Sequence, residues 1–207
     1  MSEQSMVVAI TGGSGSGKTT IVNQLVKVLS PLKVTVVNQD NYYFPKEKQP
    51  LDEKGFSNFD TLQSVDLVQL KKDLSSLLSG KNFQQKIYNF NNPLLPESSI
   101  TIEPSPLIIV EGLFVMALQE VRDLVDFSVF IDLSENERLR RRISRDTIER
   151  GYDIDDVLYR FQNHVNPSYE KFIEPFKEMA HLCIQNDGKI DDVVELVKIQ
   201  ILDRFDF

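Results

Sequence analysis

Apolar runs of strand length alternate along the chain with stretches in which apolar residues recur at helical spacing. The strand-like runs are residues 6–10, 33–37, 107–110 and 127–132. Their successive apolar positions are typical of strands buried on both faces of a parallel sheet. Between the first two runs, Ile21, Leu25 and Leu29 share one face of a helix expected over residues 20–29. The pattern predicts an α/β fold with a mostly parallel sheet.

Between the second and third strands, the pattern predicts a helix and then an inserted ribbon. Leucines recur at helical spacing after Ser64, the predicted N-cap, and Gly80 is expected to end this helix. Residues 86–90 and 99–102 then alternate polar and apolar side chains, which predicts two paired strands. We expect the ribbon to occupy about residues 84–103 of a single domain that spans the whole chain.

The C-terminal part of the chain is predicted to be helical around one further strand. Residues 154–165 and 169–180 have helical patterns, with an interruption expected at the Asn-Pro-Ser between them. Pro175 is expected to kink or break the second helix. The strand is predicted at residues 182–185 and a final helix at residues 191–204.

Composition and charge narrow the class of protein. The chain has 207 residues, 41% of them hydrophobic, which is enough to build the core of one domain. Its net charge of −8 argues against a broad nucleic-acid surface, and no apolar run reaches membrane-spanning length. The single cysteine, Cys183, excludes an internal disulfide and is expected to be buried in its strand. We therefore expect a cytoplasmic protein with no nucleic-acid or membrane partner.

Residues 12–19 match the P-loop pattern Gly-x-x-x-x-Gly-Lys-Ser/Thr, with a predicted strand before them and a predicted helix after them. Such a loop wraps a phosphate with backbone N–H groups, and the helix N-terminus adds its positive dipole end. A dinucleotide fingerprint is excluded, because its third glycine would fall at Lys18. The predicted architecture is thus the three-layer P-loop NTPase fold. The predicted nucleotide-binding residues of the loop are Gly12, Gly13, Ser14, Gly15, Ser16, Gly17, Lys18, Thr19 and Thr20.

Lys18 is the first predicted catalytic residue, since the P-loop lysine reaches the β and γ phosphates of a nucleoside triphosphate. The Thr19 hydroxyl is expected to hold Mg²⁺. Glu111 ends an apolar strand in the manner of a Walker B acid, so we expect it to assist the same metal. ATP or GTP and Mg²⁺ are therefore the predicted phosphate donor and cofactor.

Two aspartates follow the second strand. Asp40 lies just beyond its carboxyl end, where open α/β sheets bind ligands. A turn aspartate is one interpretation, and a general base near the γ-phosphate is the other. Asp52 and Gly55 spell the Asp-x-x-Gly of GTPase switches, which we interpret as coincidence because no apolar strand precedes it. His164 and His181 lack metal-like partners in the sequence and are expected to be structural.

A third region is unusually rich in arginine. Ser134 and Glu137 have the spacing of a capping box, so a helix is expected to start there. Its arginines are Arg138, Arg140, Arg141, Arg142, Arg145 and Arg150. A solvated charged helix is one interpretation. We favour a lid over about residues 134–165, because phosphoryl transfer needs cations that close on the transferring group.

The ordered motifs resemble those of the uridine kinase family, within the phosphoribulokinase/uridine kinase group of P-loop kinases. The resemblance covers about residues 7–184 and rests on the P-loop and on residues 39–43, 58–60, 87–90, 110–112, 141–146 and 149–151. It implies a phosphotransferase with an alcohol acceptor, which transfers the γ-phosphate of ATP to the 5′-hydroxyl of uridine or cytidine. It also implies a homo-oligomer.

The resemblance assigns roles to individual residues. Asp40 would be the base or orienter for the nucleoside hydroxyl, and Glu111 would assist Mg²⁺. Arg145 and Arg150 would contact the triphosphate, with Arg145 counted among the catalytic residues. The implied acceptor pocket is formed by Tyr43, Asp60, Tyr88, Phe90 and Arg142.

Three positions depart from the family pattern. Pro93 stands where the family has a base-reading histidine, Tyr152 where it has an arginine, and Arg160 where it has a glutamine. Because Asp60 and Arg142 are retained, ribose recognition is expected to persist. The departures keep open another small hydroxyl acceptor, such as a different riboside, a sugar phosphate or a pantothenate-like compound. Arg160 would suit an anionic acceptor. A third hypothesis is a nucleotide-binding regulator.

Overall fold

The computed structural model describes residues 5–90, 96–148 and 150–204. Its strands are β1 (Met6–Thr11), β2 (Val34–Asn38), β3 (Phe83–Lys86), β4 (Ser99–Ile102), β5 (Leu107–Glu111), β6 (Phe127–Asp132) and β7 (Leu182–Gln185). Its α-helices are α1 (Lys18–Val28), α2 (Leu67–Leu78), α3 (Gln119–Arg122), α4 (Glu135–Ile148), α5 (Ile154–Arg160), α6 (Asn166–Phe172) and α7 (Ile190–Leu202).

Within the described residues, a five-stranded sheet has the order β2-β5-β1-β6-β7, and its neighbouring strands pair in parallel. β3 and β4 form a separate antiparallel ribbon. The parallel sheet predicted from the apolar runs is therefore confirmed. The first strand of the ribbon was predicted at residues 86–90, whereas the structure places it at Phe83–Lys86. It ends there because the Tyr88 N–H bonds to Asn41 Oδ1 at 3.0 Å rather than to the opposite strand.

Helices cover both faces of the sheet, as the three-layer prediction requires. Along β1, Val7 and Ala9 face one apolar cluster, and Val8 and Ile10 face the other. This alternation follows from the two-residue period of a strand. The first cluster is completed mainly by α2, and the second by α1 and α7. The buried helical side chains that pack on the sheet include Leu70, Leu74, Ile21, Leu25, Val194 and Val197.

The strand register brings three chain segments together at the carboxyl edge of the sheet. Glu111, at the end of β5, lies opposite Ile10 of β1 on one side and opposite Asn38 of β2 on the other. The P-loop follows β1 directly, and Asp40 follows Asn38. These segments therefore meet at one edge, which is where open α/β sheets bind ligands.

Asp66 rather than Ser64 caps α2, so that prediction was wrong. The Asp66 side chain accepts a hydrogen bond from the Gln69 N–H at 2.9 Å. Ser64 is buried at the end of a 3₁₀ turn, where its hydroxyl donates to the Asn58 carbonyl at 2.8 Å. This extra turn, Leu62–Ser64, shifts the helix start, and short turns of this kind carry little signal in a sequence.

The expected interruption between α5 and α6 is absent from the described part of the chain. A π-helical turn, Phe161–Val165, joins the two helices directly. Pro167 is the second residue of α6 and directly follows this turn, and the helical run continues through it. The break expected at Pro175 is confirmed, because α6 ends at Phe172 and a 3₁₀ turn follows.

Cys183 is exposed, contrary to prediction. It lies in β7, which is the last strand in the sheet order, and Ile184 is the buried residue of that strand. An edge strand is covered less completely than a central strand, so its alternate side chains reach the surface. Among the described residues, no helix combines the length and apolar character needed to cross a membrane.

Candidate active site

The P-loop has the backbone shape of an anion cradle. Gly15 and Gly17 adopt positive φ angles of 83° and 96°, which side chains rarely tolerate. Gly12 is required for another reason, because a Cβ at this position would lie 2.2 Å from the Ile131 carbonyl oxygen. Gly17 leads directly into α1, so the loop ends at a helix N-terminus. The geometry fits a bound phosphate chain.

Lys18 is buried and folds back over the loop. Its ammonium donates to the carbonyl oxygens of Gly12 and Gly13 at 2.9 and 3.0 Å. Burial lowers the pKa of Lys18 to about 8, although the nearby carboxylates of Glu111 and Asp40 oppose this shift. An arriving phosphate would supply the negative charge that this buried cation lacks.

Thr19 and Glu111 form the oxygen pair expected for a magnesium ion. The Thr19 hydroxyl donates to Glu111 Oε1 at 3.0 Å. Burial raises the pKa of Glu111 to about 7, and the negative charge of Asp40 adds to the rise. A hydroxyl and a carboxylate are hard oxygen ligands, and Mg²⁺ usually takes few protein ligands and completes its shell with phosphate and water. The donor set therefore fits this ion.

Asp40 is held at the sheet edge by its neighbours. Its N–H donates to Asn38 Oδ1 at 2.8 Å, and the preceding Gln39 accepts from the Phe114 N–H at 2.7 Å. Gly112 permits this approach, because a Cβ there would lie 2.4 Å from Gln39 Cβ. Burial raises the pKa of Asp40, whereas the charges of Lys18 and of two lid arginines lower it. This carboxylate thus has an increased affinity for a proton, next to the P-loop lysine.

One buried carboxylate gathers three arginines of the predicted lid. Asp146 lies 2.8 Å from Arg145 Nε, 3.2 Å from Arg142 Nε and 3.4 Å from Arg150 Nη1. Burial and the charge of Arg145 lower the pKa of Arg150. Three guanidinium groups this close repel one another, so the shared carboxylate is what keeps the cluster together.

Arg142 of α4 contacts both the P-loop and the predicted acceptor residue Asp60. Its Nη1 donates to the Ser14 hydroxyl of the P-loop at 3.0 Å and lies 4.0 Å from Asp60 Oδ1. Asp60 is buried, and its N–H donates to Asn58 Oδ1 at 2.9 Å. The structure therefore brings the predicted acceptor residues Asp60 and Arg142 together beside the P-loop.

Four aromatic rings form a continuous wall next to Asp40. The Tyr43 ring lies 6.1 Å from Phe59 and 5.5 Å from Tyr88, and Tyr88 lies 5.2 Å from Phe90, between ring centroids. Burial and the negative charge of Asp40 raise the pKa of Tyr43 well above its ordinary value. The Arg150 guanidinium stacks on Phe90 with 4.3 Å to the ring centroid. The wall could therefore stack against a flat, uncharged group.

Sequence reasoning missed several residues that contact the P-loop. Arg138 is buried beside the loop, since a Cβ placed on Gly13 would lie 2.8 Å from its Cδ, and its guanidinium lies 3.8 Å over the Tyr169 ring. The Asn186 amide donates to the Ser16 carbonyl at 2.7 Å, and Arg141 holds Asn186 through a 2.9 Å bond. Phe59 was also missed as a lining residue. The available signal was the four-residue spacing of the charged residues that α4 buries, which are Arg138, Arg142 and Asp146.

The three departures from the family pattern have different structural positions. Arg160 is bound within the protein, with Nε 2.9 Å from Asp156 and Nη1 2.9 Å from the Ser57 carbonyl. Tyr152 is exposed, and its N–H donates to the Asp146 carbonyl at 3.0 Å. Pro93 lies outside the described residues.

Comparison with known proteins gives consistent matches. A sequence model described as the phosphoribulokinase/uridine kinase family matches residues 7–192. A uridine kinase of Limosilactobacillus reuteri (strain DSM 20016) is 32% identical over 96% of this chain and 91% of its own length. One of Lactiplantibacillus plantarum is 33% identical over 95% of this chain and 94% of its own length.

Solved structures share the fold. A possible uridine kinase from Bacillus stearothermophilus has a TM-score of 0.62 at 21% identity, covering 89% of this chain and 90% of that chain. Phosphoribulokinase from Rhodobacter spheroides has a TM-score of 0.65 at 17% identity, covering 89% of this chain and 71% of that chain. The P-loop kinase fold predicted from the sequence is therefore confirmed.

Proposed function

The chain belongs to the phosphoribulokinase/uridine kinase family, and from this membership we propose that it phosphorylates the 5′-hydroxyl of uridine or cytidine with ATP. Membership makes it a P-loop phosphotransferase with a hydroxyl acceptor. The position of Asp40 is the observation that supports a nucleoside 5′-hydroxyl as the acceptor. The Asp40 carboxylate interacts electrostatically with Lys18 on one side and with Tyr43 of the aromatic wall on the other.

On the donor side, the charged residues would stabilise a transferring phosphoryl group. Lys18 would neutralise the outer phosphates, and Arg145 and Arg150 would add positive charge from the lid. Thr19 and Glu111 would hold a magnesium ion, which would neutralise negative charge on the triphosphate. Because the transition state of phosphoryl transfer is loose, positioning and electrostatics supply most of the acceleration.

Asp40 would align the acceptor hydroxyl and take its proton. Its raised pKa supports this role, because a carboxylate with an increased proton affinity is a better base than an exposed one. The nearby Lys18 and lid arginines oppose the rise in its pKa, because they favour its charged form. The proton would move late, after the acceptor oxygen has been placed in line with the γ-phosphate.

On the acceptor side, the wall of Tyr43, Phe59, Tyr88 and Phe90 would stack against the base of a nucleoside. Asp60 and Arg142 would hydrogen-bond the ribose hydroxyls, since a carboxylate accepts hydrogen bonds and a guanidinium donates them, and the two lie 4.0 Å apart at the pocket. The acceptor pocket thus combines an aromatic surface with one carboxylate and one guanidinium.

A different hydroxyl acceptor remains the second candidate because Tyr152 and Arg160 replace residues that the family uses for substrate. Arg160 is already bound to Asp156 and to the Ser57 carbonyl. A guanidinium engaged in this way offers less to an anionic acceptor, which favours an uncharged riboside over a sugar phosphate.

The test is a panel of acceptors incubated with γ-labelled ATP and Mg²⁺. The panel should contain uridine, cytidine, adenosine, ribose 5-phosphate and pantothenate, with the products identified by mass. We expect label in the monophosphates of uridine and cytidine only. Transfer to one of the other compounds, or ATP hydrolysis with no labelled acceptor, would contradict the proposal.

A further inference from the structure

Away from the phosphate and acceptor sites, the Asp52 carboxylate joins a surface loop to the helical segment that follows the lid arginines. Its Oδ1 accepts from the backbone N–H groups of Lys54 at 2.9 Å and Phe56 at 2.8 Å. Its Oδ2 accepts from the Tyr159 hydroxyl at 2.9 Å and lies 2.8 Å from His164 Nε2. One oxygen therefore shapes the loop, and the other holds the helical segment.

Further contacts strengthen the same junction. The Phe56 ring packs on Tyr159 with 5.2 Å between centroids, and the Lys54 ammonium lies 4.5 Å over the same ring. Burial of Asp52 would raise its pKa, but hydrogen bonds from the Phe56 N–H, His164, Tyr159 and the Lys54 N–H together hold it well below its ordinary value. The ionised carboxylate is thus the form that the junction stabilises.

The loop leads directly into the acceptor pocket. Its base is closed by a 2.7 Å bond from the Asn58 N–H to the Pro50 carbonyl. Asn58 then orients Asp60, and Phe59 between them packs on Tyr43. A displacement of the loop would therefore move two groups of the pocket at once.

On its N-terminal side, the helical segment is connected to the lid arginines. Arg150, which is held by Asp146, precedes Gly151, and α5 begins at Ile154. Gly151 has a positive φ of 69°, so the chain turns sharply between the arginine cluster and α5. The Asp52 junction is consequently close in sequence to the lid arginines on one side and to the acceptor loop on the other.

We propose that Asp52, Tyr159 and His164 form a clamp that couples the lid to the acceptor loop. These are positioning residues: they touch neither nucleotide nor acceptor, and they act through Phe59 and Asp60. Nucleotide binding at the lid arginines orders α5, and the clamp transmits this order to the loop. The inference rests on the proposed kinase function, because it needs a nucleotide at the lid. Couplings between sites are typically about 5- to 150-fold in affinity.

Hydrogen exchange on the full-length protein tests the clamp without knowledge of the acceptor. A non-hydrolysable ATP analogue with Mg²⁺ should slow exchange in residues 150–160 and also in residues 50–60, each by about fivefold or more. In Asp52→Ser, the hydroxyl still suits the turn but is too short to reach Tyr159 and His164. We expect this variant to keep the slowing at the lid and to lose it in the loop.

Two more variants test whether the loss of slowing in Asp52→Ser comes from a folding defect. Tyr159→Phe deletes one hydroxyl from a half-exposed position and should lose part of the slowing in the loop. Asp66→Ser changes the same residue type at the cap of α2, away from the lid, and should keep both effects.

The outcomes separate the clamp from the kinase assignment. Slowing at the lid alone in the natural protein, or undiminished slowing of the loop in Asp52→Ser, would overturn the clamp and leave the kinase assignment intact. No slowing at the lid in any variant would mean that no nucleotide binds there, which would overturn both. Because coupling between two binding sites is reciprocal, a KM for the acceptor that falls as the ATP concentration rises in the natural protein, but not in Asp52→Ser, would support the clamp.

Discussion

The proposed donor half and the proposed acceptor half of the site are built from different interactions. The donor half consists of the P-loop and the charged face of α4, joined by ion pairs and hydrogen bonds such as those around Asp146 and Ser14. The acceptor half consists of aromatic rings from separate segments of the chain, such as Tyr43, Phe59 and Tyr88. The first arrangement suits a phosphate chain common to all reactions of the fold, and the second suits one particular acceptor.

This difference makes a general prediction. Changes in the donor half should reduce transfer to every acceptor by the same factor, because the phosphoryl group is the same in each reaction. Changes in the acceptor half should alter the ranking of acceptors and leave the KM for ATP unchanged.

The largest effect is expected from Lys18→Ala. The variant removes the buried cation from the P-loop, so kcat should fall by about 10³-fold for all acceptors. The measurement is initial velocity with each member of the acceptor panel. Lys27→Ala, at an exposed position of the same helix, is the control and should keep full activity. A loss that differs between acceptors would contradict the separation of the two halves.

Asp146→Asn is expected to have a smaller effect, which is a loss of stability. The change leaves three arginines without their shared carboxylate, and breaking a buried ion pair costs about 3 kcal/mol. The unfolding temperature should therefore fall, and ATP should raise it more in the variant than in the natural protein, because phosphates restore the missing charge. Asp123→Asn, on the exposed surface, is the matched control. Equal stabilisation of variant and natural protein by ATP would show that the cluster does not meet the triphosphate.

On the acceptor side, Phe59→Ala should raise the KM for the nucleoside by about 3- to 10-fold, the effect of losing one aromatic contact of about 0.5–1.5 kcal/mol. The KM for ATP should not change. Phe59→Leu restores the apolar volume without the ring and separates stacking from simple filling of space. A parallel rise in both KM values would indicate a general distortion of the site.

The smallest effect is expected in the pH dependence of the free energy of unfolding. The pKa of Glu111 is raised from the ordinary 4.5 to about 7 in the folded protein. Between these values the folded state binds more protons than the unfolded state, so the free energy of unfolding should fall as pH rises from about 4.5 to 7. Glu111→Gln should flatten this part of the profile, which is measured by urea unfolding without nucleotide. An unchanged slope would assign the effect to another group.

The donor half was predictable because each of its motifs consists of residues that are close together in sequence. The P-loop, the Walker B strand and the arginines of α4 each lie within one short segment, and the sheet register then brings the segments together. Which of the arginines are buried was not predicted. Arg138 was identified only as one of the lid arginines and Arg142 was assigned to the acceptor pocket by resemblance, whereas the structure buries both and bonds Arg142 to Ser14 of the P-loop.

The acceptor half and the clamp were harder to predict because their contacts join residues far apart in sequence. Asp52 was interpreted as a chance match and His164 as a lone structural histidine, yet they lie 2.8 Å apart. The continuous helix through Pro167 was missed as well, since a π-helical turn has no recognised sequence signal. Periodicity reports which elements form, and it does not report which distant side chains they bring together.

We propose that the protein transfers phosphate to the 5′-hydroxyl of a pyrimidine nucleoside placed next to Asp40. The direct measurement is phosphorus NMR of the product formed from ATP and uridine, with 5′-deoxyuridine in a parallel reaction. The account predicts uridine 5′-monophosphate in the first reaction and, in the second, no phosphorylated nucleoside but competitive inhibition of uridine phosphorylation. A phosphate on 5′-deoxyuridine, or on the 2′- or 3′-oxygen of uridine, would contradict it.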